Sequence, residues 1–253
     1  MIILKPSIQQ QFAGQIWRML IDPQKELLFT ETRDVESRQV SFSGFDLNSG
    51  KVTFIDFIPD ESWLTGMEGC FEGVLFLHGY ESAQSPVHKG ITAIDGATGN
   101  ILWKNFTYAI QHISASGPIA YNTQIQPPKL FVLNAQTGAA LRGFDVSVDI
   151  DQDQNMKVPH LIDTLDDNFK AHIEGEVVGN IHYIEHNSFR IVSLHALVKT
   201  NLSQILLIMQ GEELVYEDLL LDEIQKLQPE AFIMQQNRLI YIKNRIELKV
   251  LNL

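Results

Sequence analysis

The segment Ala93–Trp103, with the sequence AIDGATGNILW, contains the pattern that decides the fold. An aliphatic strand leads to Asp95. Two variable residues come next, and they are followed by Thr98, by Gly99 and then by a second apolar stretch. An Asp side chain at this position can accept hydrogen bonds from the backbone of a tight turn, and the closing Gly adopts positive φ without steric cost. The segment therefore predicts a β-hairpin.

The hairpin pattern occurs three times in the first 145 residues. The other copies place Asp46 before Gly50 and Asn134 before Gly138. A further strand-like run precedes each copy, and two more pairs of apolar runs follow without the turn signature. These runs are Leu27–Thr30, Val74–Leu77, Pro118–Tyr121, Ile181–Ile184 with Arg190–Leu194, and Leu239–Ile242 with Leu248–Leu251. The spacing predicts about five antiparallel units, as in propellers with variable loops.

The two ends of the chain carry complementary halves of this pattern. Val250–Leu253 repeats the motif strand and stops where a turn should follow, whereas Ala13–Trp17 is similar to the strand that follows the glycine elsewhere. We therefore expect the N-terminal and C-terminal strands to pair and close the ring. The predicted fold is an all-β, five-bladed propeller formed by residues 1–253 as one domain.

The run Ala93–Trp103 resembles the repeat of quinoprotein-type (PQQ-like) β-propellers, and the resemblance extends over residues 10–145. It is greatest to the small bacterial members of that class. The resemblance implies that Trp17 and Trp103 pack between neighbouring blades. Phe54 and Arg142 stand where two other copies would have Trp.

A quinone cofactor is not expected from this resemblance. The dehydrogenases of the family use more blades, an adjacent cysteine pair and a calcium site, whereas this chain is short and has a single cysteine, Cys70. No cationic neighbour activates its thiol, so Cys70 is interpreted as a core residue.

The composition excludes several classes of partner. The chain has 19 Lys and Arg against 31 Asp and Glu, a formal charge of −12. A surface of this sign repels nucleic acid and anionic lipid. Because the segment Met1–Pro6 has no secretory pattern and no apolar run reaches the roughly 20 residues of a membrane span, we expect a cytoplasmic protein. We also expect it to be a monomer.

Two groups of residues have the composition of a metal site. Asp149, Asp151 and Asp153 alternate as at the start of a calcium loop, but Gln154 stands where that loop needs Gly and His160 where it needs Glu. The alternative is a solvated acidic loop. The second group, His182, Glu185 and His186, lies in a predicted strand, which does not fit the helical zinc signature and favours structural histidines.

One segment departs from the β pattern. Tyr216, Leu220, Ile224 and Leu227 have helical spacing, which predicts a short amphipathic helix over 217–228. The helix either packs on the rim of the propeller or is a docking element for a basic partner.

No catalytic motif is present, so the first functional hypothesis is a non-enzymatic module that binds another protein. An alternative is a glycosidase-like hydrolase with channel carboxylates, for which Asp56, Asp60, Asp95 and Asp163 are candidates. A further alternative is a sugar-binding or small-ligand propeller with an aromatic-lined pocket that involves Trp63 or a neighbouring tyrosine.

Overall fold

The computed structural model describes residues 4–61, 63–82, 84–229 and 231–253. The first three residues of the N-terminal segment Met1–Pro6 therefore lie outside the described residues. Strands account for most of the described chain, which confirms the all-β class. Among the described residues, no helix has the length and apolar character needed to cross a membrane.

The strands follow one another in chain order. The first is β1 (Pro6–Gln11). It is followed by β2 (Gln15–Asp22), β3 (Leu27–Asp34), β4 (Gln39–Asp46), β5 (Lys51–Phe57), β6 (Thr65–Phe71), β7 (Val74–Ser82), β8 (Ser85–Asp95), β9 (Ile101–Asn105), β10 (Tyr108–Ser114), β11 (Gly117–Asn122), β12 (Phe131–Leu133) and β13 (Ala140–Gly143). The remainder are β14 (Met156–Lys157), β15 (His160–Ile162), helix α1 (Asp167–Lys170), β16 (Glu176–His186), β17 (Phe189–Val198), β18 (Asn201–Gln210), β19 (Glu213–Leu221), β20 (Phe232–Gln235), β21 (Arg238–Lys243) and β22 (Glu247–Asn252).

These strands form five separate antiparallel sheets. Sheet 1 contains β2 to β5, sheet 2 contains β6 to β9, sheet 3 contains β10 to β13, and sheet 4 contains β15 to β19. Sheet 5 has the order β1-β22-β21-β20-β14. By contacts the chain divides into two compact units, Gly14–Gln154 with sheets 1 to 3, and Met1–Ala13 with Asn155–Leu253, which holds sheets 4 and 5.

The core of the unit Gly14–Gln154 lies between successive sheets. On β7, Leu75 and Leu77 pack into a cluster shared with sheet 1, whereas Val74 and Phe76 pack into a cluster shared with sheet 3. Alternate residues of a strand point to opposite faces, so the middle sheet is buried on both sides. This explains why the segment Val74–Leu77 is a continuous apolar run.

The three turn motifs have the same hydrogen bonds. Oδ1 of Asp95 accepts from the backbone N–H groups of Ala97 at 2.8 Å and Thr98 at 3.1 Å, and Gly99 has φ +74°. Asp46 and Asn134 each accept two such bonds in their own turns. A Cβ atom on Gly99 would lie 2.7 Å from Cβ of Phe54, so this position requires glycine both for conformation and for space.

Aromatic residues of the last strand in one sheet cover the turn of the next sheet. Phe54 of β5 covers Gly99, and Trp103 of β9 covers Gly138 and donates from Nε1 to the carbonyl of Ala135 at 2.8 Å. The equivalent residue of β13 is Arg142, which binds Asp149 instead.

Trp17 does not take part in this arrangement. It lies in the first strand of sheet 1 rather than the last, at a register shift between Ile16 and Arg18, and is 68% exposed. The prediction that Trp17 is a buried wedge between sheets is therefore wrong. The guanidinium of Arg33 lies 5.6 Å from its ring centroid.

The N-terminal and C-terminal strands pair, but through a different segment from the one predicted. β1 pairs with β22 from Pro6 opposite Leu251 to Gln11 opposite Glu247. The predicted segment Ala13–Trp17 instead leads into β2, which pairs with β3.

The predicted helix over 217–228 is wrong. Residues up to Leu221 form β19, which pairs with β18 from Gln204 opposite Leu221 to Gln210 opposite Glu213, and the residues that follow are irregular. A helix of this length is marginal on its own, and pairing with an existing strand satisfies the backbone better. The one helix of the described residues is α1, capped by Asp166.

Candidate metal centre

Three residues with metal-ligating side chains meet on sheet 2. Glu68 lies on β6, His78 on β7 and His88 on β8. Oε2 of Glu68 is 2.8 Å from Nδ1 of His78 and 2.7 Å from Nδ1 of His88. One carboxylate oxygen and two imidazole nitrogens therefore lie within 4.8 Å of one another.

Irregular strand pairing brings these side chains together. The register between β6 and β7 shifts between Met67 and Gly69, which makes Glu68 an extra residue in its strand. A second shift, between β7 and β8, follows Leu77. A bulge redirects a side chain, and bulges are frequent next to functional sites. The two imidazole rings stack with centroids 3.6 Å apart and an angle of 8°.

Oε2 of Glu68 and both ring nitrogens of His78 are buried and have no well-aligned hydrogen bond. His78 is 4% exposed, and neither of its ring nitrogens has a hydrogen-bond partner of good geometry among the described residues. The same holds for Oε2 of Glu68, although both imidazoles lie close to it. Leaving a buried polar group unsatisfied costs about 1–3 kcal/mol, so such a cluster requires an explanation.

Glu68 is ionised at neutral pH. Burial raises its pKa, but the attraction of the imidazoles of His78 and His88, which lie against the carboxylate, more than offsets burial, so the pKa lies below its ordinary value. An ionised carboxylate is the form that binds a cation.

This donor set fits a divalent transition metal. Imidazole nitrogen is a ligand for zinc, iron, nickel and copper, and two histidines with one carboxylate occur in zinc and non-haem iron sites. Three protein ligands leave a coordination position open. The side chain of His88 is 35% exposed, so solvent reaches the cluster from that side.

Aromatic and polar residues surround the cluster. The ring of Tyr80 lies edge-on to both imidazoles, with centroids 4.9 Å from His78 and 5.4 Å from His88. A Cβ atom on Gly66 would lie 3.1 Å from Nε2 of His78 and 3.5 Å from Oε2 of Glu31. Glycine at this position leaves the space beside the buried imidazole open.

The acidic candidates from the sequence lie elsewhere and do not converge. The carboxylate of Asp149 is held by two nitrogens of Arg142 and by the backbone N–H of Asp145. The hydrogen bond from Arg142 is the largest cause that holds the pKa of Asp149 far below its ordinary value. Asp151 and Asp153 are exposed. Among the described residues, Glu68, His78 and His88 are the one group with metal-ligand geometry.

The histidine candidates on sheet 4 are also separate. His182 is buried with Nε2 3.0 Å from the carbonyl of Pro229, whereas His186 contacts Asn237. Cys70 is buried, and burial raises the pKa of its thiol.

The carboxylates proposed for a hydrolase do not belong to the cluster. Asp56, Asp60 and Asp163 are exposed, and Asp95 holds its turn. Trp63 stacks with Arg33 and Arg38.

Sequence reasoning missed this cluster, although a signal is present. Glu68, His78 and His88 are ten residues apart from one to the next, and they lie on three consecutive strands. In a meander with short turns, such spacing can return side chains to one end of neighbouring strands. The bulges that complete the alignment have no sequence signature.

Comparisons with known proteins give limited matches. The model of a family described as "Domain of unknown function (DUF4905)" matches residues 21–103, a range that includes all three residues of the cluster. No curated protein matches the chain. Among solved structures, a europium-containing methanol dehydrogenase matches with 10% identity and a TM-score of 0.32 over 96% of this chain. The chain covers 52% of that enzyme, and a likeness at this level carries no argument about function.

Proposed function

We propose that the protein binds a divalent transition metal through Glu68, His78 and His88. The observation that carries the proposal is the approach of two imidazole nitrogens to one ionised carboxylate, whose Oε2 is buried without an aligned hydrogen bond. The open coordination position admits a water molecule or a donor group of a ligand. The five sheets are proposed to be blades of a β-propeller, which the order of the strands and the pairing of β1 with β22 support.

Titration with Co(II) tests the proposed metal site. We expect one Co(II) per chain, with visible absorption bands of a site that has nitrogen and oxygen ligands. Replacing His88 by Asn should weaken the binding of Co(II). The loss of affinity should exceed the roughly 10–100-fold that results when a residue hydrogen-bonded to a metal ligand is removed. His112, which is partly exposed on sheet 3, provides the matched control His112→Asn. Equal affinity in the wild type and His88→Asn would exclude the site.

A second proposed role is binding of another protein through the loop that follows β13. Val146, Val148 and Ile150 are 79%, 56% and 63% exposed. The buried carboxylate of Asp149 fastens this loop to Arg142, so the apolar side chains project from an ordered segment. Asp145 and Asp151 lie beside them. This surface fits a partner with an apolar patch bordered by basic residues.

Crosslinking in an extract of the native cell tests the partner surface. Replacing Val146, Val148 and Ile150 by Ser should abolish capture of a protein that the wild type captures. A control variant with Val35→Ser and Val87→Ser, which are also exposed, should retain it. Capture of the same proteins by both variants would contradict this role.

A further inference from the structure

Two buried histidines lie beneath the irregular segment 222–229 in the unit of sheets 4 and 5. His182 on β16 is 7% exposed and His195 on β17 is 2% exposed. His182 is opposite Ser193 in the ladder, so His195, two residues further, shares that face with it. Both imidazoles contact the backbone of the segment that covers them.

These backbone contacts assign the protons of both rings. The N–H of Gln228 donates to Nε2 of His195 at 3.0 Å, so that nitrogen carries a lone pair and the proton is on Nδ1. Nε2 of His182 is 3.0 Å from the carbonyl of Pro229, which only accepts, so Nε2 of His182 carries the proton. The structure therefore requires neutral His195.

Few other contacts hold the end of this segment. Residues 222–229 contain no strand or helix, and the N–H of Ile224 donates to the carbonyl of Leu202 at 2.9 Å. Leu227 covers Gly179, where a Cβ atom would lie 2.6 Å from its Cδ1. The bond from Gln228 to His195 and the contact of Nε2 of His182 with the carbonyl of Pro229 therefore fasten the part nearest Pro229.

The charged groups around His195 do not favour its protonation. His182 on β16 opposes a second positive charge, and Gln204 on β18 is neutral. The exposed groups of the segment are Asp222, Glu223 and Lys226, and Asp222 accepts from Asn201. Burial, followed by the charge of His182, holds the pKa of His195 below its ordinary value.

The direction of the pH dependence follows from this shift. The unfolded chain binds a proton at His195 at higher pH than the folded chain does. The contribution of neutral His195 to stability is therefore complete above the ordinary histidine pKa of about 6.5 and decreases as the pH falls below it.

We propose that segment 222–229 is an acid-released latch, in which a proton on Nε2 of His195 removes the hydrogen bond from Gln228 and weakens the attachment of that end of the segment to sheet 4. The protonated ring presents an N–H to an N–H, and no acceptor is left for the backbone of Gln228. Release uncovers the polar face of sheet 4 that carries His182, His195 and Gln204.

Amide hydrogen exchange of the full chain tests the latch, with rates corrected for the intrinsic effect of pH. We expect the Gln228 amide to lose up to about tenfold in protection between pH 8 and pH 5.5, which corresponds to 1.4 kcal/mol. In His195→Gln, the side-chain carbonyl can accept from Gln228 but does not titrate, so protection should not change with pH. The control His160→Gln, on exposed β15, should behave as the wild type.

Nitrogen NMR of histidine in the wild type gives an independent test that needs no variant. At pH 8, His195 should be the tautomer with the proton on Nδ1. A proton on Nε2 at that pH, equal protection of Gln228 at both pH values, or the wild-type pH dependence in His195→Gln would each overturn the proposal.

Discussion

Replacing Asp218 by Asn is expected to lower the free energy of unfolding by roughly 3–5 kcal/mol, because it removes one partner of a buried ionic network. Asp218 of β19 accepts from Nζ of Lys243 and Nζ of Lys249, each at 2.6 Å, and from the hydroxyl of Tyr241 at 2.8 Å. Lys249 and Tyr241 are buried. The neutral amide would leave two ammonium groups without a counterion.

The same network predicts a loss of stability in acid. Burial raises the pKa of Asp218, but the hydrogen bonds from Lys243, Lys249 and Tyr241 more than offset it and leave the pKa below its ordinary value. The contribution of Asp218 is therefore present above the ordinary carboxyl pKa and is lost as the pH falls through the lowered value.

Denaturant unfolding at pH 7 measures the effect, with Asp167→Asn as the control. Asp167 forms an exposed ion pair with Lys170, so its replacement should change stability by less than about 0.5 kcal/mol. A change in Asp218→Asn no larger than in this control would show that the buried charges do not depend on Asp218.

Zinc is expected to stabilise the folded chain strongly, and His78→Asn should remove the effect. A ligand that binds only the folded state adds about 4.1 kcal/mol when its free concentration is about a thousand times its dissociation constant. His78 is the most deeply buried of the three ligands, and its Nδ1 faces Glu68. Without it, one imidazole and one carboxylate remain, which is a weak site.

Unfolding curves at pH 7.5 with and without zinc measure this increment. His112→Asn retains the three proposed ligands and should keep the full increment. An equal increment in His78→Asn and the wild type would place the stabilising zinc elsewhere in the chain.

The local turns could be predicted from the sequence because their determinants are adjacent residues. Asp95 and Gly99 provide the acceptor and the positive φ within five positions. The all-β class follows from the repetition of such turns between apolar runs. Pairing of the chain ends was also predictable, but the particular segment was not, because Pro6–Gln11 and Ala13–Trp17 are both compatible with a strand.

Features that depend on long-range pairing could not be read from spacing. The apolar residues after Tyr216 do have helical spacing. That segment nevertheless pairs with β18 as a strand, and a local sequence pattern does not reveal such pairing. Trp17 was assigned by similarity to Trp103, but it lies in the opposite edge strand of its sheet. The cluster of Glu68, His78 and His88 depends on the bulge at Glu68, which directs that side chain toward two histidines 10 and 20 residues further along the chain.

X-ray absorption of the protein loaded with one equivalent of zinc tests the central claim most directly. We expect a first shell of nitrogen and oxygen at about 2.0–2.2 Å, with the outer-shell scattering of two imidazoles. In His78→Asn and in His88→Asn, the scattering of one imidazole should disappear. A shell that contains sulfur, or one that both substitutions leave unchanged, would contradict the site formed by Glu68, His78 and His88.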